Sequence, residues 1–343
     1  MKRPFLVPTL FLLTAFVLGN CTLPPLVEST PTAVPAPVTM PVVEETPLVP
    51  AAELGLAENP IILALPPSTA TTPEQVNAAR EIAAQLTERT GYVVVVTAPE
   101  TYAALIEALE KGNAHIALLD PLSYALAYQK DLVRAQYAVV RDEKIAYGTQ
   151  FLAARRDGFT SYFNAEIGEN TAELSVALAQ FADKKPCWSE ETSLAGYIVP
   201  LGMLNQAQVQ TRSAAFAGDH AAVVRSLYVG GICDFGATYI DARKFPSLED
   251  AMPDLVEQVL VIWRSEEIIP YEVLAFSTKM PPPMRNLFRD LIPAIRQTDA
   301  GYAAFQTAYG FDEIQAVNDG DFGDFHAFIK SAGLDLTAIL NKR

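Results

Sequence analysis

Residues 186–200 read Pro-Cys-Trp-Ser-Glu-Glu-Thr-Ser-Leu-Ala-Gly-Tyr-Ile-Val-Pro, and their types and spacing suggest anion chemistry. Thr192 and Ser193 are good helix caps, because a side-chain oxygen there accepts from an orphan N–H of the first turn. Leu194, Ala195, Gly196 and Tyr197 follow, offering backbone N–H groups at the positive end of that helix. Hydroxyls, small residues and a glycine at a helix start suit an anion. They also suit an ordinary capped helix. Other chemistry is not signalled. His115, His220 and His326 lack metal-ligand spacing, and Cys187 and Cys233 form no Cys-x-x-Cys pattern. No nucleophile elbow, phosphate loop or dinucleotide fingerprint is present. Ser193 and His220 suggest a nucleophile and base, but no third member is identifiable. Neither an enzyme, a metal nor a cofactor is expected.

The elements that must position these residues alternate. Residues 60–65 read as a buried strand. Thr72-Pro73-Glu74-Gln75 is a capping box with proline at the first helical position. Val76, Ala79, Ile82, Ala83 and Leu86 repeat at helical spacing up to Gly91. Residues 92–97, with four consecutive valines, read as a strand buried on both faces. A helix marked by Tyr102, Leu105, Ile106 and Leu109 ends at Gly112. Residues 115–119 are a strand, 121–129 a helix, and 136–141 and 148–154 further strands. A second set follows: a helix capped by Asn170–Glu173, the 186–200 loop, a helix after Gly218-Asp219-His220, a strand at 233–239, a helix at 247–258 and strands at 259–263 and 273–277. Residues 281–340 are mainly helical. Such alternation predicts an α/β fold, mainly parallel sheets flanked by helices.

The front of the chain differs. Met1-Lys2-Arg3 and the apolar residues 5–18 read as an export signal, too short to span a membrane comfortably. Cys21 directly behind it resembles a bacterial lipobox, with Asn20 in place of the usual Gly, Ala or Ser. That resemblance implies cleavage after residue 20 and a lipid on Cys21, holding the protein on a membrane without a spanning helix. Residues 21–58 hold eight prolines before residue 51 and no periodic apolar face, so they read as a disordered tether reaching on the order of 100 Å. The net charge of −15 argues against nucleic acid or an anionic membrane face as partner. Screening over about 8 Å leaves a small anionic ligand open, since local donors decide its binding. With Cys21 lipidated, Cys187 and Cys233 remain as one disulfide pair for an oxidising compartment.

From residue 60 to about 310 the chain resembles the phosphate/phosphite/phosphonate-binding proteins of ABC importers. The likeness is carried by Thr97-Ala98-Pro99-Glu100-Thr101-Tyr102, Ile116-Ala117-Leu118-Leu119-Asp120-Pro121-Leu122-Ser123-Tyr124 and Ser193-Leu194-Ala195-Gly196-Tyr197-Ile198-Val199-Pro200. It continues in Gly218-Asp219-His220, Cys233-Asp234-Phe235-Gly236-Ala237-Thr238 and Ile269-Pro270-Tyr271-Glu272. The resemblance implies a type II periplasmic-binding fold, two α/β domains joined by crossing hinge strands with the ligand between them. Residues 59–150 with 270–343 would form the first domain and 151–269 the second. Tyr102 resembles a ligand-contacting tyrosine, Ser193 and the amides behind it an oxyanion loop, and His220 a donor to the oxyanion. Asp241 falls where aminophosphonate binders carry an acid facing the amine, and Glu272 where the family has an acid close to the ligand. Ser123, Tyr124 and Thr192 complete the expected contacts. In the family the loop commonly reads Ser-Thr-Ser-Gly; Leu194 and Ala195 replace two of its hydroxyl residues, and Asp120 stands where glycine is common.

A tetrahedral oxyanion needs several convergent donors. Ser193, the helix amides, His220 and Tyr102 supply them. Glu272 makes chemical sense if it accepts a P–OH proton or meets a ligand amine, which would discriminate among anions, phosphorus ahead of sulfate, without any arginine. The expected protein is therefore a monomeric, lipid-anchored solute receptor on the outer face of the cell membrane, passing a small phosphorus oxyanion to ABC permease subunits. A sensor of the same fold without a transporter, and an extracytoplasmic enzyme, are the alternatives.

Overall fold

The computed structural model describes residues 53–342. The expected signal peptide, Cys21 and all but the end of the tether lie outside the described residues. That end is not tether: Leu54 packs on the core and the Gly55 carbonyl accepts the Val93 N–H at 2.8 Å, so the folded part begins before residue 59.

In chain order the strands are β1 (Ile61–Ala64), β2 (Val94–Thr97), β3 (Ile116–Leu119), β4 (Val133–Val139), β5 (Ala146–Tyr147), β6 (Thr149–Ala154), β7 (Phe163–Asn164), β8 (Glu169–Asn170), β9 (Pro186–Trp188), β10 (Ala215–Phe216), β11 (Phe235–Tyr239), β12 (Val259–Arg264), β13 (Ile269–Pro270), β14 (Val273–Ser277) and β15 (Ile314–Ala316). They form a six-stranded sheet, β15-β4-β14-β3-β1-β2, and a five-stranded sheet, β10-β9-β11-β6-β12. Each has a parallel half, β2-β1-β3 and β10-β9-β11, built from strand–helix–strand units. The other half is antiparallel: β14 and β6 arrive from the opposite sheet rather than over a helix, and β12, which follows β11 of its own sheet over two short helices, runs antiparallel to β6. β2 is not buried on both faces as its valines suggested: it is a sheet edge, and Val95 is 39 % exposed.

Local chemistry sets the helix ends. The Thr72/Gln75 capping box opens Pro73–Thr90, and Gly91 closes it in the left-handed conformation. Asp120 caps Pro121–Gln129 by accepting the Ser123 N–H at 2.7 Å, which explains an acid where the family commonly has glycine. Asn170 does not cap the next helix; it sits in the β7–β8 hairpin, bonded through its side chain to the Arg264 backbone. The helix expected at 247–258 is two, Pro246–Ala251 and Leu255–Gln258, because Pro253 forbids the helical conformation at Met252.

Phe181 stacks on Phe235 at 4.0 Å, with Phe151 and Trp188 beside them, and this core covers the five-stranded sheet. Ile61, Phe276, Phe288 and Phe305 centre a second core on the six-stranded sheet. Full burial of each such side chain contributes about 1.5–3 kcal/mol. The chain passes between the sheets through β5 into β6 and back from β12 through β13 to β14, with β5 and β13 paired antiparallel. The C-terminal segment departs from expectation. Its helix Gly323–Ala332 packs against Val199–Gln206 of the five-stranded layer, and Asn205 Nδ2 donates to the Ser331 carbonyl at 2.9 Å. Leu336–Leu340 packs back on the helices at 121–129 and 102–111. The segment therefore touches both layers, where the first domain alone was expected to hold it.

Candidate functional site

Beside β5 and β13, where the chain crosses between sheets, lies a cavity of about 330 Å³ lined by Tyr147, Ser193, Ala195, His220, Tyr239 and Tyr271, with Ile240 at its edge. Ser193 rather than Thr192 is the helix cap; its Oγ accepts the Gly196 N–H at 3.0 Å, and Thr192 sits in the preceding turn. Residues Leu194–Ile198 form one π-helical turn running directly into Val199–Gln206. At such a start the first N–H groups have no intrahelical partner. Leu194 and Ala195 are buried, and of the two Ala195 lines the cavity. Gly196 is required by contact: a Cβ there would overlap Ser189 Oγ and come within 2.9 Å of His220 Cε1. Thr149 Oγ1, on the crossing strand β6, donates to the Ala195 carbonyl at 2.7 Å and fixes the turn to the hinge.

His220 opens the helix His220–Val229, whose cap Asp219 accepts the Ala222 N–H at 2.6 Å. Its Nε2 lies 3.4 Å from Ser193 Oγ, and Tyr239 packs its ring edge-on at 4.8 Å. Burial lowers its pKa to about 4, against an opposing pull from Asp219. At neutral pH the ring is therefore uncharged and presents one N–H. Its Nδ1 is buried without a hydrogen-bond partner among the described residues, so no carboxylate orients the ring as a hydrolytic base.

A smaller cavity of about 100 Å³ adjoins in sequence at Tyr271-Glu272 and is lined by Tyr102, Arg141, Glu272 and Tyr309. Tyr102 is the first residue of Tyr102–Lys111, half-buried and directed here. Glu272 is not an unpaired acid. Both its oxygens accept from Arg141 Nη2 at 2.8 Å, and the Arg141 guanidinium also lies 5.5 Å from the Tyr271 ring centre. The expectation of discrimination without arginine is thus corrected: two residues 131 apart in sequence meet, and the pair is formally neutral.

Asp241 does not line either cavity. Its Oδ1 accepts from Gln150 Nε2 and Arg243 Nε, both at 2.9 Å, and from the Arg243 N–H at 3.1 Å; Oδ2 accepts from Arg243 and Arg264 at 2.7 Å. Burial works to raise its pKa, but the Arg243 and Gln150 bonds outweigh it and hold the acid well below the usual carboxylate range. Ser123 and Tyr124 are fully buried away from the Ser193 cavity; Tyr124 donates to Asp319 at 2.8 Å and meets His326 at 3.2 Å. His115 accepts the Ile62 N–H and is structural. Cys187 and Cys233 form the expected disulfide, Cα atoms 5.6 Å apart. Tyr147, Tyr239, Tyr271 and Arg141 escaped sequence reading. The tyrosines' only signal was their place beside crossing strands, and the Arg141–Glu272 pairing had none. Among the described residues no His, Cys, Asp or Glu cluster could hold a metal, and no helix is long and apolar enough to cross a membrane.

A family model described as "ABC transporter, phosphonate, periplasmic substrate-binding protein" matches residues 67–322, well over half the chain. The chain is 26% identical over 194 residues to the Phosphate-import protein PhnD of Mycolicibacterium smegmatis, covering 53% of this chain and 56% of that protein. It thus spans just over half the length of this curated relative. Of solved structures, XAC2383 from Xanthomonas citri bound to ATP has a TM-score of 0.55 at 13% identity, over 79% of this chain and 97% of that one. The same protein bound to chloride ion has 0.54 at 12%, over 83% and 99%. At such identity these likenesses concern the fold, and the fold class is the expected type II periplasmic-binding architecture.

Proposed function

The chain belongs to the periplasmic substrate-binding proteins of phosphonate ABC transporters, and from that membership we propose that it captures a small phosphorus oxyanion (phosphonate, phosphate or phosphite) and hands it to permease subunits. Family membership makes it an extracytoplasmic transport protein rather than a member of an enzyme family. One observation carries the ligand reading: Ser193, the turn at Ala195 and a neutral His220 line one cavity at the crossing strands. A serine hydroxyl, first-turn amides and an imidazole N–H are donors without a fixed charge, which suits a small oxyanion bound by geometry. Tyr102 and the Arg141–Glu272 pair close the other side in this reading. Two α/β lobes, 59–150 with most of 270–343 and 151–269, would shut on the ligand. Lipidated Cys21 and the proline-rich tether would hold the monomer near its permease. Nucleic acid has no part in it.

Calorimetry with phosphate, phosphite and methylphosphonate tests the site. A hydrogen bond to a charged group is worth about 1.5–3 kcal/mol. Ser193→Ala and His220→Ala are each expected to weaken binding roughly ten- to a hundredfold. Wild-type protein that binds none of the three, or variants that lose nothing, would overturn the assignment.

A further inference from the structure

The two acids that a ligand amine would seek are both occupied by arginines of this chain. Asp241 accepts five hydrogen bonds, from Gln150, Arg243 and Arg264. An ionised carboxylate has about four lone-pair sites, so nothing remains for a ligand ammonium. Its side chain is 7% exposed and does not line the cavity. Glu272 does face the smaller cavity, but Arg141 holds both its oxygens. An ammonium arriving there would meet a guanidinium and a neutralised carboxylate.

The rest of the cavity lining is of another kind. Tyr147 and Tyr271 stack at 5.4 Å across β5 and β13, and Tyr239 and Ile240 continue the surface. Tyrosine faces can attract a cation. Here Arg141 already stands 5.5 Å from the Tyr271 ring, and Tyr239 is turned edge-on to His220. What is left is apolar area beside an anion site.

Resting on the oxyanion reading above, we propose that the cavity selects phosphorus oxyanions bearing a small, uncharged, apolar substituent and rejects aminoalkyl ones. The phosphorus group lies against Ser193 and His220, and the substituent lies on the tyrosine wall.

Two ligands of nearly equal size, n-propylphosphonate and 2-aminoethylphosphonate, separate the outcomes by calorimetry on the full chain at neutral pH. The propyl compound is expected to bind at least tenfold more tightly. Arg141→Gln, at a partly exposed pair whose loss spares the core, releases Glu272 and is expected to narrow that ratio by raising aminoethyl affinity. Equal or tighter binding of the amine by wild type overturns this inference while leaving the oxyanion site intact. A wild-type preference that Arg141→Gln leaves unchanged overturns the part given to the arginine. Binding of neither compound overturns this inference, and the oxyanion reading falls with it only where phosphate, phosphite and methylphosphonate also fail to bind.

Discussion

His115, His220 and His326 are each held neutral by burial, with pKa values lowered to about 4. An unfolded histidine protonates near 6.5, so the unfolded chain binds more protons between pH 6.5 and 4. Stability is therefore full above about pH 6.5 and is lost as pH falls toward 4, by up to about 3 kcal/mol per histidine. Asp241, held down by Arg243 and Gln150 against its burial, withdraws further support as the pH falls into and below the ordinary carboxylate range. Urea midpoints at pH 7, 5.5 and 4.5 are expected to fall in that order. His115→Gln, which keeps an acceptor for the Ile62 N–H, is expected to flatten the slope; a level profile in the wild type contradicts the argument. Sequence reading singled out Ser193 from local capping chemistry and His220 from the family resemblance, and the structure sets the two side chains 3.4 Å apart. The same reading did not find that both carboxylates are taken up: Arg141 reaches Glu272 across 131 positions, and Arg264 of β12 joins the local Arg243 on Asp241.

Elements were legible wherever the signal lay within a few residues, as at the Thr72 capping box or Asp219 before His220–Val229. They were misread where packing decides, as with the edge strand β2. The disulfide closes a loop of 46 residues between the neighbouring strands β9 and β11, worth about 4 kcal/mol in chain-entropy terms. Helix contact supplies a sharper test. Gly202 in Val199–Gln206 lies so close to Gly323–Ala332 that a Cβ would overlap the Phe328 carbonyl. Backbone cannot rotate aside as a side chain can, so Gly202→Ala is expected to destabilise by about 1–3 kcal/mol. A lowered urea midpoint at unchanged slope is the expected reading; wild-type stability would mean the helices separate freely.

At the scale of the molecule, β5–β6 and β12–β13–β14 are the two strand crossings, and the tyrosine-lined cavity lies beside them. Ser265 joins them, its Oγ accepting the Thr149 N–H at 2.9 Å while its own N–H donates to the Thr149 carbonyl at 2.9 Å. If the proposed lobes close on a ligand, motion about these crossings would be rigid-body in kind. Solution scattering is expected to show compaction at saturating methylphosphonate; an unchanged profile with a ligand proved to bind would refute closure. The C-terminal helix at 323–332 must ride with the helix it packs on, a constraint invisible in the sequence. Residue order alone determined the alternation of strands and helices, the capped turn at Ser193 and the cysteine pairing, because each rests on local spacing or on a count, and it carried the family through motifs resembling known ones. Only the tertiary structure decided which acids remain free, which strand is an edge and where the last helices dock. Those depend on residues brought together from separate elements, as Arg141 and Glu272 are across 131 positions, and such meetings leave little trace in local pattern.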